Sequence, residues 1–115
     1  MTFMHELSIA ESVLNEVIRI KDESALSRIK SIRLTVGKLS SVNIDALKEA
    51  LSIVTKGTFL ENAVFIIEEV FPKVRCARCL EVYDFGSMEC PKCHSIHKEI
   101  VSGQELAISS IEGDT

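Results

Sequence analysis

The chain has 115 residues, 46% hydrophobic and 26% charged, with 5 Gly, 2 Pro, 4 Cys and no Trp. That is room for one ordinary domain, or a small domain with a still smaller module; the composition is too apolar for a disordered chain and too poor in Gly and Pro for a fibrous one. With 13 basic and 17 acidic residues the formal charge is −4, which argues against a nucleic acid or a membrane surface as main partner, since both need a basic face.

Leu7, Ala10, Leu14, Val17 and Ile18 recur at helical spacing with Glu11, Asn15, Glu16 and Arg19 between them, which predicts an amphipathic helix starting close to the N-terminus. The stretch from Met1 to Ile18 holds no Lys or Arg and carries Glu6, Glu11 and Glu16, so it does not read as a signal peptide. Ile32, Leu34 and Val36 alternate with Arg33 and Thr35 before Gly37, the pattern of a half-buried strand. Asn43 is placed to cap a second helix with Ile44, Leu47, Leu51 and Val54 on one stripe and Gly57 as its stop. Val42 and Leu47 are spaced as a hydrophobic staple across that cap.

Ala63-Val64-Phe65-Ile66-Ile67 is the longest apolar run, far below the ~18 residues of a membrane span, and Val64 to Ile67 reads as a short strand. Leu106 to Ile111 is a weaker strand, interrupted by Ser109 and Ser110. The expected fold is α+β, two helices packed on a three-stranded sheet, with an inserted zinc-ribbon-like module before the last strand. The expected division is 1–70 plus 101–115 for the α+β domain and 71–100 for the module. The expected location is cytoplasmic.

All four cysteines lie in that insert, as Cys76-Ala77-Arg78-Cys79 and Cys90-Pro91-Lys92-Cys93. In a reducing compartment two such pairs do not normally make disulfides. They match a tetrahedral zinc site, each pair wrapping one edge of the tetrahedron. The ten residues between the pairs ask for a tight hairpin, which Tyr83-Asp84-Phe85-Gly86-Ser87 would supply. A redox C-x-x-C needs only one copy at a helix start, and iron in the same thiolates remains open on spacing alone. From Phe71 to Ile100 the balance of charge is +1 against −5 elsewhere. A segment below roughly 40 residues buries too little to fold alone, so metal binding would supply its folding free energy.

No Gly-rich phosphate loop, nucleophile elbow or base–nucleophile pair is present, which gives no support to an enzyme. The histidines are His5, His94 and His97. A terminal histidine is ordinarily solvated and idle. A chain beginning Met-His, however, offers an amine, a backbone nitrogen and an imidazole within two residues, a set suited to Ni(II) or Cu(II). Glu6 adds an oxygen donor.

Met4-His5-Glu6-Leu7-Ser8-Ile9, Val36-Gly37-Lys38-Leu39-Ser40, Val74-Arg75-Cys76-Ala77-Arg78-Cys79, Cys90-Pro91-Lys92-Cys93 and Gly103-Gln104-Glu105-Leu106 occur in this order over nearly the whole chain. With them the sequence resembles the HypA/HybF family of hydrogenase maturation nickel chaperones. The resemblance implies a nickel-binding α+β domain beside a zinc domain, with Zn(II) structural and Ni(II) as cargo. It implies delivery to the [NiFe]-hydrogenase large subunit together with a maturation GTPase and, in some bacteria, service to urease and its accessory proteins. The protein would act as a monomer or a homodimer.

By that resemblance His5 is the principal nickel ligand and Glu6 a supporting residue, while Cys76, Cys79, Cys90 and Cys93 hold zinc. In the family the His follows the initiator Met, so Met4 joins the nickel ligands if the chain starts there. If it starts at Met1, the amine lies three residues too early for a compact chelate. Asp45 is the nearest carboxylate at the start of the second helix, and His94 reads as a turn residue of the second cysteine pair. The rival reading is a small zinc-ribbon module that binds protein or nucleic acid without cargo metal.

Overall fold

A computed structural model describes residues 2–115, with side chains from His5 onward. The element order is α1 (Thr2–Ser24), β1 (Arg28–Gly37), α2 (Ile44–Thr55), β2 (Val64–Val70), β3 (Lys73–Cys76), β4 (Val82–Asp84), β5 (Lys98–Ser102) and β6 (Leu106–Asp114). Two three-stranded sheets result, ordered β2-β1-β6 and β4-β3-β5.

β1 is the centre of the first sheet because its alternate residues are apolar. It pairs parallel with β2 and antiparallel with β6, and the registers Ile32↔Phe65, Leu34↔Ile67, Leu34↔Ile108 and Ile32↔Ile111 put apolar side chains on one face. A parallel β1–β2 pair needs a crossover, which α2 supplies. Onto that face pack Ala10, Val13 and Val17 of α1 and Leu47, Ala50 and Leu51 of α2, closing the main core with Leu60. The strand order agrees with the expected two helices on three strands.

The local signals act as their chemistry requires. The Asn43 side chain accepts the Ala46 N–H at 2.9 Å, and Val42 packs on the core that contains Leu47. α2 ends at Thr55, and Gly57 two residues on has φ +80°, the left-handed turn a glycine permits. β6 runs past the expected Ile111 to Asp114, and an irregularity opposite Arg33–Leu34 takes up the extra residue of the Ser109-Ser110 pair.

Two readings are corrected. The buried stripe of α1 is Glu6, Ala10, Val13 and Val17, while Ile18 is exposed and Leu7 and Leu14 are half-buried. The helix is therefore turned so that Val13 faces β1. The expected hairpin through Gly86-Ser87 is also displaced. β4 pairs with β3, so the first cysteine pair itself forms the hairpin bend, and Ser87 N–H to the Asp84 carbonyl (3.0 Å) makes only a following turn. β5 pairs with the other side of β3 and runs across the expected limit at residue 100.

The sheets meet at a backbone joint. Gly37 N–H donates to the Glu105 carbonyl at 2.7 Å and Leu39 N–H to the Gly103 carbonyl at 2.6 Å. A Cβ on Gly37 would lie 2.1 Å from the Gly103 carbonyl, and Gly103 has φ +104°. Only glycine fits this approach at either position. The Lys38 amine sits 4.7 Å from the Phe71 ring centre beside it.

Candidate metal centres

The second sheet carries the cysteines at its end. Cys76 closes β3 and Cys79 follows on the bend, while Cys90 and Cys93 sit on the loop between β4 and β5. Each pair is a knuckle closed by a backbone bond spanning four residues. Leu80 N–H donates to the Cys76 carbonyl (3.1 Å) and His94 N–H to the Cys90 carbonyl (2.9 Å). Leu80 and His94 occupy matching positions with φ +67° and +64°. His94 is thus the turn residue of the second knuckle, its exposed ring 3.3 Å from the Glu89 carboxylate. His97 is also exposed, and its carbonyl accepts the Ala77 N–H (2.9 Å), which ties the two knuckles together.

The four Sγ atoms lie within 4.8 Å of one another, with Cys76–Cys93 and Cys79–Cys90 each at 3.5 Å. A disulfide needs about 2.05 Å, so all four are free thiols. A tetrahedron with Zn–S near 2.3 Å has edges of about 3.8 Å, which these spacings fit. The backbone prepares the sulfurs for negative charge: Arg78 and Cys79 N–H point at Cys76 Sγ (3.4 and 3.5 Å) and Lys92 N–H at Cys90 Sγ (3.4 Å). With the Cys79 and Arg78 amides outweighing burial, the Cys76 thiol falls to about 6. Cys79 is pushed up to about 12: the Glu81 amide pulls it down, but burial and the neighbouring Cys90, Cys93 and Cys76 sulfurs win. A cluster that divides so unequally holds protons that a cation must expel.

The core beneath is only Val74, Cys76, Tyr83 and Cys90, with Cys79 and Cys93 half-buried against it. Burial and the adjacent sulfurs raise the Tyr83 hydroxyl, which has no hydrogen-bond partner. So small a core makes the sulfur cluster the main cross-link of this half of the molecule.

In the half built on the first sheet, His5 is exposed in the first turn of α1. Glu6, the next residue, is turned about 100° round the helix and is 0% exposed. Its Oε2 accepts the Asn43 N–H at 2.9 Å and its Oε1 is buried with no partner. The structure therefore places imidazole and carboxylate on different faces of α1 and does not bring them together. Glu6, expected as an oxygen donor supporting the nickel site, is found as a buried group that fastens the start of α1 to the start of α2. Sequence reasoning missed this bridge, although Glu6 stands four residues before Ala10 on the apolar stripe, which was the signal. Asp45 is exposed in the first turn of α2. The Met4 side chain lies outside the described residues. Among the described residues the four cysteines alone form a cluster of potential metal ligands.

Between α1 and β6 lies a cleft of about 570 Å³ with His5 at one end and Ile9, Val13, Leu34 and Ile108 in its wall. Among the described residues no helix is long and apolar enough to cross a membrane.

A family model described as hydrogenase/urease nickel incorporation, metallochaperone, hypA matches residues 4–113. The chain is 34% identical to the hydrogenase maturation factor HypA of Methanococcus vannielii, over 93% of this chain and 94% of that protein. It is 37% identical to that of Chlorobaculum parvum, over 94% and 97%. The solution structure of the Ni metallochaperone HypA from Helicobacter pylori superposes with a TM-score of 0.71 at 19% identity, covering 95% of this chain and 97% of that one. A second HypA solution structure gives 0.78 at 21% identity, covering 96% of each. At these identities the two structures establish the shared fold.

Proposed function

The chain belongs to the HypA family of nickel-incorporation metallochaperones, and on that premise we propose that it carries Ni(II) at the start of α1 and delivers it during [NiFe]-hydrogenase maturation. The observation that supports this reading most is the separation of two unlike donor sets. A preorganised four-sulfur cluster sits on the second sheet, and an exposed imidazole stands on a helix packed on the first and fastened by a buried carboxylate.

His5 is the nickel ligand in this reading, joined by nitrogens of the first turn of α1, where amides lack intrahelical acceptors, and by the amine of Met4 if the chain starts there. Glu6 supports the site by holding α1 against Asn43, not by reaching the ion. Few, exposed, borderline nitrogen donors suit a cargo that must leave, because acceptor thiolates replace them stepwise.

Cys76, Cys79, Cys90 and Cys93 fit Zn(II), which when bound supplies a permanent cross-link of the module spanning about 71–100. The same reading assigns the acceptor as the hydrogenase large subunit, with a maturation GTPase assisting and urease as a further client, all in the cytoplasm, without a catalytic step of its own.

Calorimetric titration of Ni(II) into the zinc-loaded protein and into His5→Ala tests it. The expected result is about one Ni(II) per chain for the parent, lost in the variant with zinc content unchanged. Equal nickel binding by both would refute the assignment, and no nickel binding by the parent would leave only a ribbon-bearing adaptor.

A further inference from the structure

The four cysteines divide into two kinds by where the chain puts them. Side chains alternate between the faces of β3, so Cys76 falls on the same side as Val74, in the small core with Tyr83, and is 0% exposed. Cys90 is 0% exposed as well, its N–H held by the Ser95 carbonyl at 2.9 Å. Cys79 and Cys93, the second member of each pair, are only partly buried.

The 3.5 Å sulfur contacts join unlike members across the knuckles, Cys79 to Cys90 and Cys93 to Cys76. Each accessible sulfur therefore has a buried sulfur of the other knuckle as its near neighbour. That is the arrangement of an attacking thiol beside a resolving one. Ala77 N–H bonded to the His97 carbonyl at 2.9 Å already holds the knuckles side by side. Closing either contact to the length of a disulfide, about 2.05 Å, then needs a movement of only about 1.5 Å. Within a knuckle the buried sulfurs face backbone amides instead: Arg78 and Cys79 N–H point at Cys76 Sγ, and Lys92 N–H at Cys90 Sγ.

We infer that the cluster is also a peroxide-responsive thiol switch, with Cys79 and Cys93 as attacking sulfurs and Cys90 and Cys76 as their resolving partners. In the first step the Cys79 thiolate attacks one oxygen of hydrogen peroxide and the O–O bond breaks. The sulfur becomes a sulfenic acid, and the departing hydroxide takes a proton to form water. The Cys90 thiolate then attacks that sulfur, the S–O bond breaks, a second hydroxide leaves as water, and the Cys79–Cys90 disulfide forms. Cys93 and Cys76 react in the same way. Each disulfide gives two electrons to one peroxide, so a cluster of four thiolates consumes two peroxides and four protons, yields four waters and gives up its ion. The two bonds are nested, 79–90 inside 76–93, so the knuckles stay joined at the points where the metal joined them. A cross-link that dilution does not undo is thereby exchanged by oxidation for one that a thiol reductant reverses, which is the usual role of a disulfide in a reducing compartment. The inference rests on the four cysteines holding an ion as thiolates, not on the nickel assignment.

The test uses the full chain, zinc-loaded and nickel-free, with hydrogen peroxide, a chromogenic zinc indicator and dimedone as a trap for sulfenic acid. About one zinc per chain is expected to be released for about two peroxides, with dimedone on Cys79 and Cys93 and none on Cys76 or Cys90. Trypsin cuts after Arg78 and Lys92, between the cysteines of each pair. The expected bonds therefore leave fragment 79–92 closed on itself and join 76–78 to 93–98, whereas bonds within the knuckles link all three fragments. Amide exchange at Ala77 and Leu80, whose N–H groups tie the knuckles, is expected to stay slow in the oxidised, metal-free protein. In reduced protein stripped by a chelator it should quicken at least about tenfold. Dithiothreitol with Zn(II) should restore the starting state. A three-fragment product, dimedone on a buried cysteine, bonds between chains, or zinc retained with all four thiols intact in excess peroxide would each overturn the proposal. Because no nickel is present, any of these results leaves the nickel assignment to its own titration.

Discussion

Glu6 is the residue on which the start of α1 depends structurally. A buried carboxylate is costly unless its oxygens are engaged, and this one engages Asn43 N–H, an amide at the cap of α2 that would otherwise have no acceptor. Glu6→Ala is expected to cost about 1–3 kcal/mol of stability, because it orphans that amide. Glu6→Gln, which keeps an acceptor oxygen, should cost less. Denaturant titration of the three proteins checks the order, and an unaffected Glu6→Ala would show that water replaces the carboxylate. In the first cysteine knuckle Leu80 has φ +67° on a residue with a bulky side chain, a conformation that costs about 1 kcal/mol or more for residues other than Gly, Asn or Asp. Leu80→Gly should raise the chelator concentration needed to unfold the module; a lower one would mean that Leu80 packs usefully. Both residues were visible in the sequence but not their roles. Glu6 sits on an apolar stripe that polarity led us to set aside, and a positive φ at Leu80 follows from knuckle closure, which no local propensity announces.

Among the elements, those with local signals were legible. The Asn43 cap, the alternation of β1 and the helical spacing of α2 each act over a few residues, and each formed as its chemistry dictates. β3 and β5 were not legible, because four or five residues interrupted by charge carry no periodicity and take their pairing from the cysteine cluster beside them. Those strands should accordingly depend on metal. Since Cys79 is held near 12 and Cys76 near 6, at neutral pH Cys79 carries a proton that zinc must expel, and acidification returns protons to the other sulfurs as well. Zinc affinity is therefore expected to rise with pH and binding to release protons, measurable by calorimetry in two buffers of different ionisation enthalpy. Heats independent of buffer would contradict that protonation pattern. In the main core, Leu34→Ala is expected to cost about 2–5 kcal/mol by leaving a cavity between β1 and the helices.

The whole molecule is elongated, 54 × 34 × 17 Å, with the exposed imidazole and the sulfur cluster built on different sheets. The two halves are joined where Gly37 and Gly103 approach, the one place where the motifs Val36-Gly37-Lys38 and Gly103-Gln104-Glu105 meet. Their glycines are explained by that contact, which lies between segments more than sixty residues apart and so left no local trace. Gly37→Ala is expected to force the joint open, since the added Cβ meets backbone and not a movable side chain. The central claim is a division of labour, one ion locked in sulfur and another held on nitrogen for release. Dialysis of protein loaded with both metals against a competitor of moderate strength such as free histidine tests it directly. The account predicts that nickel leaves while zinc stays at one per chain and the fold persists; nickel retained while zinc is lost, or both lost together with unfolding, would contradict it.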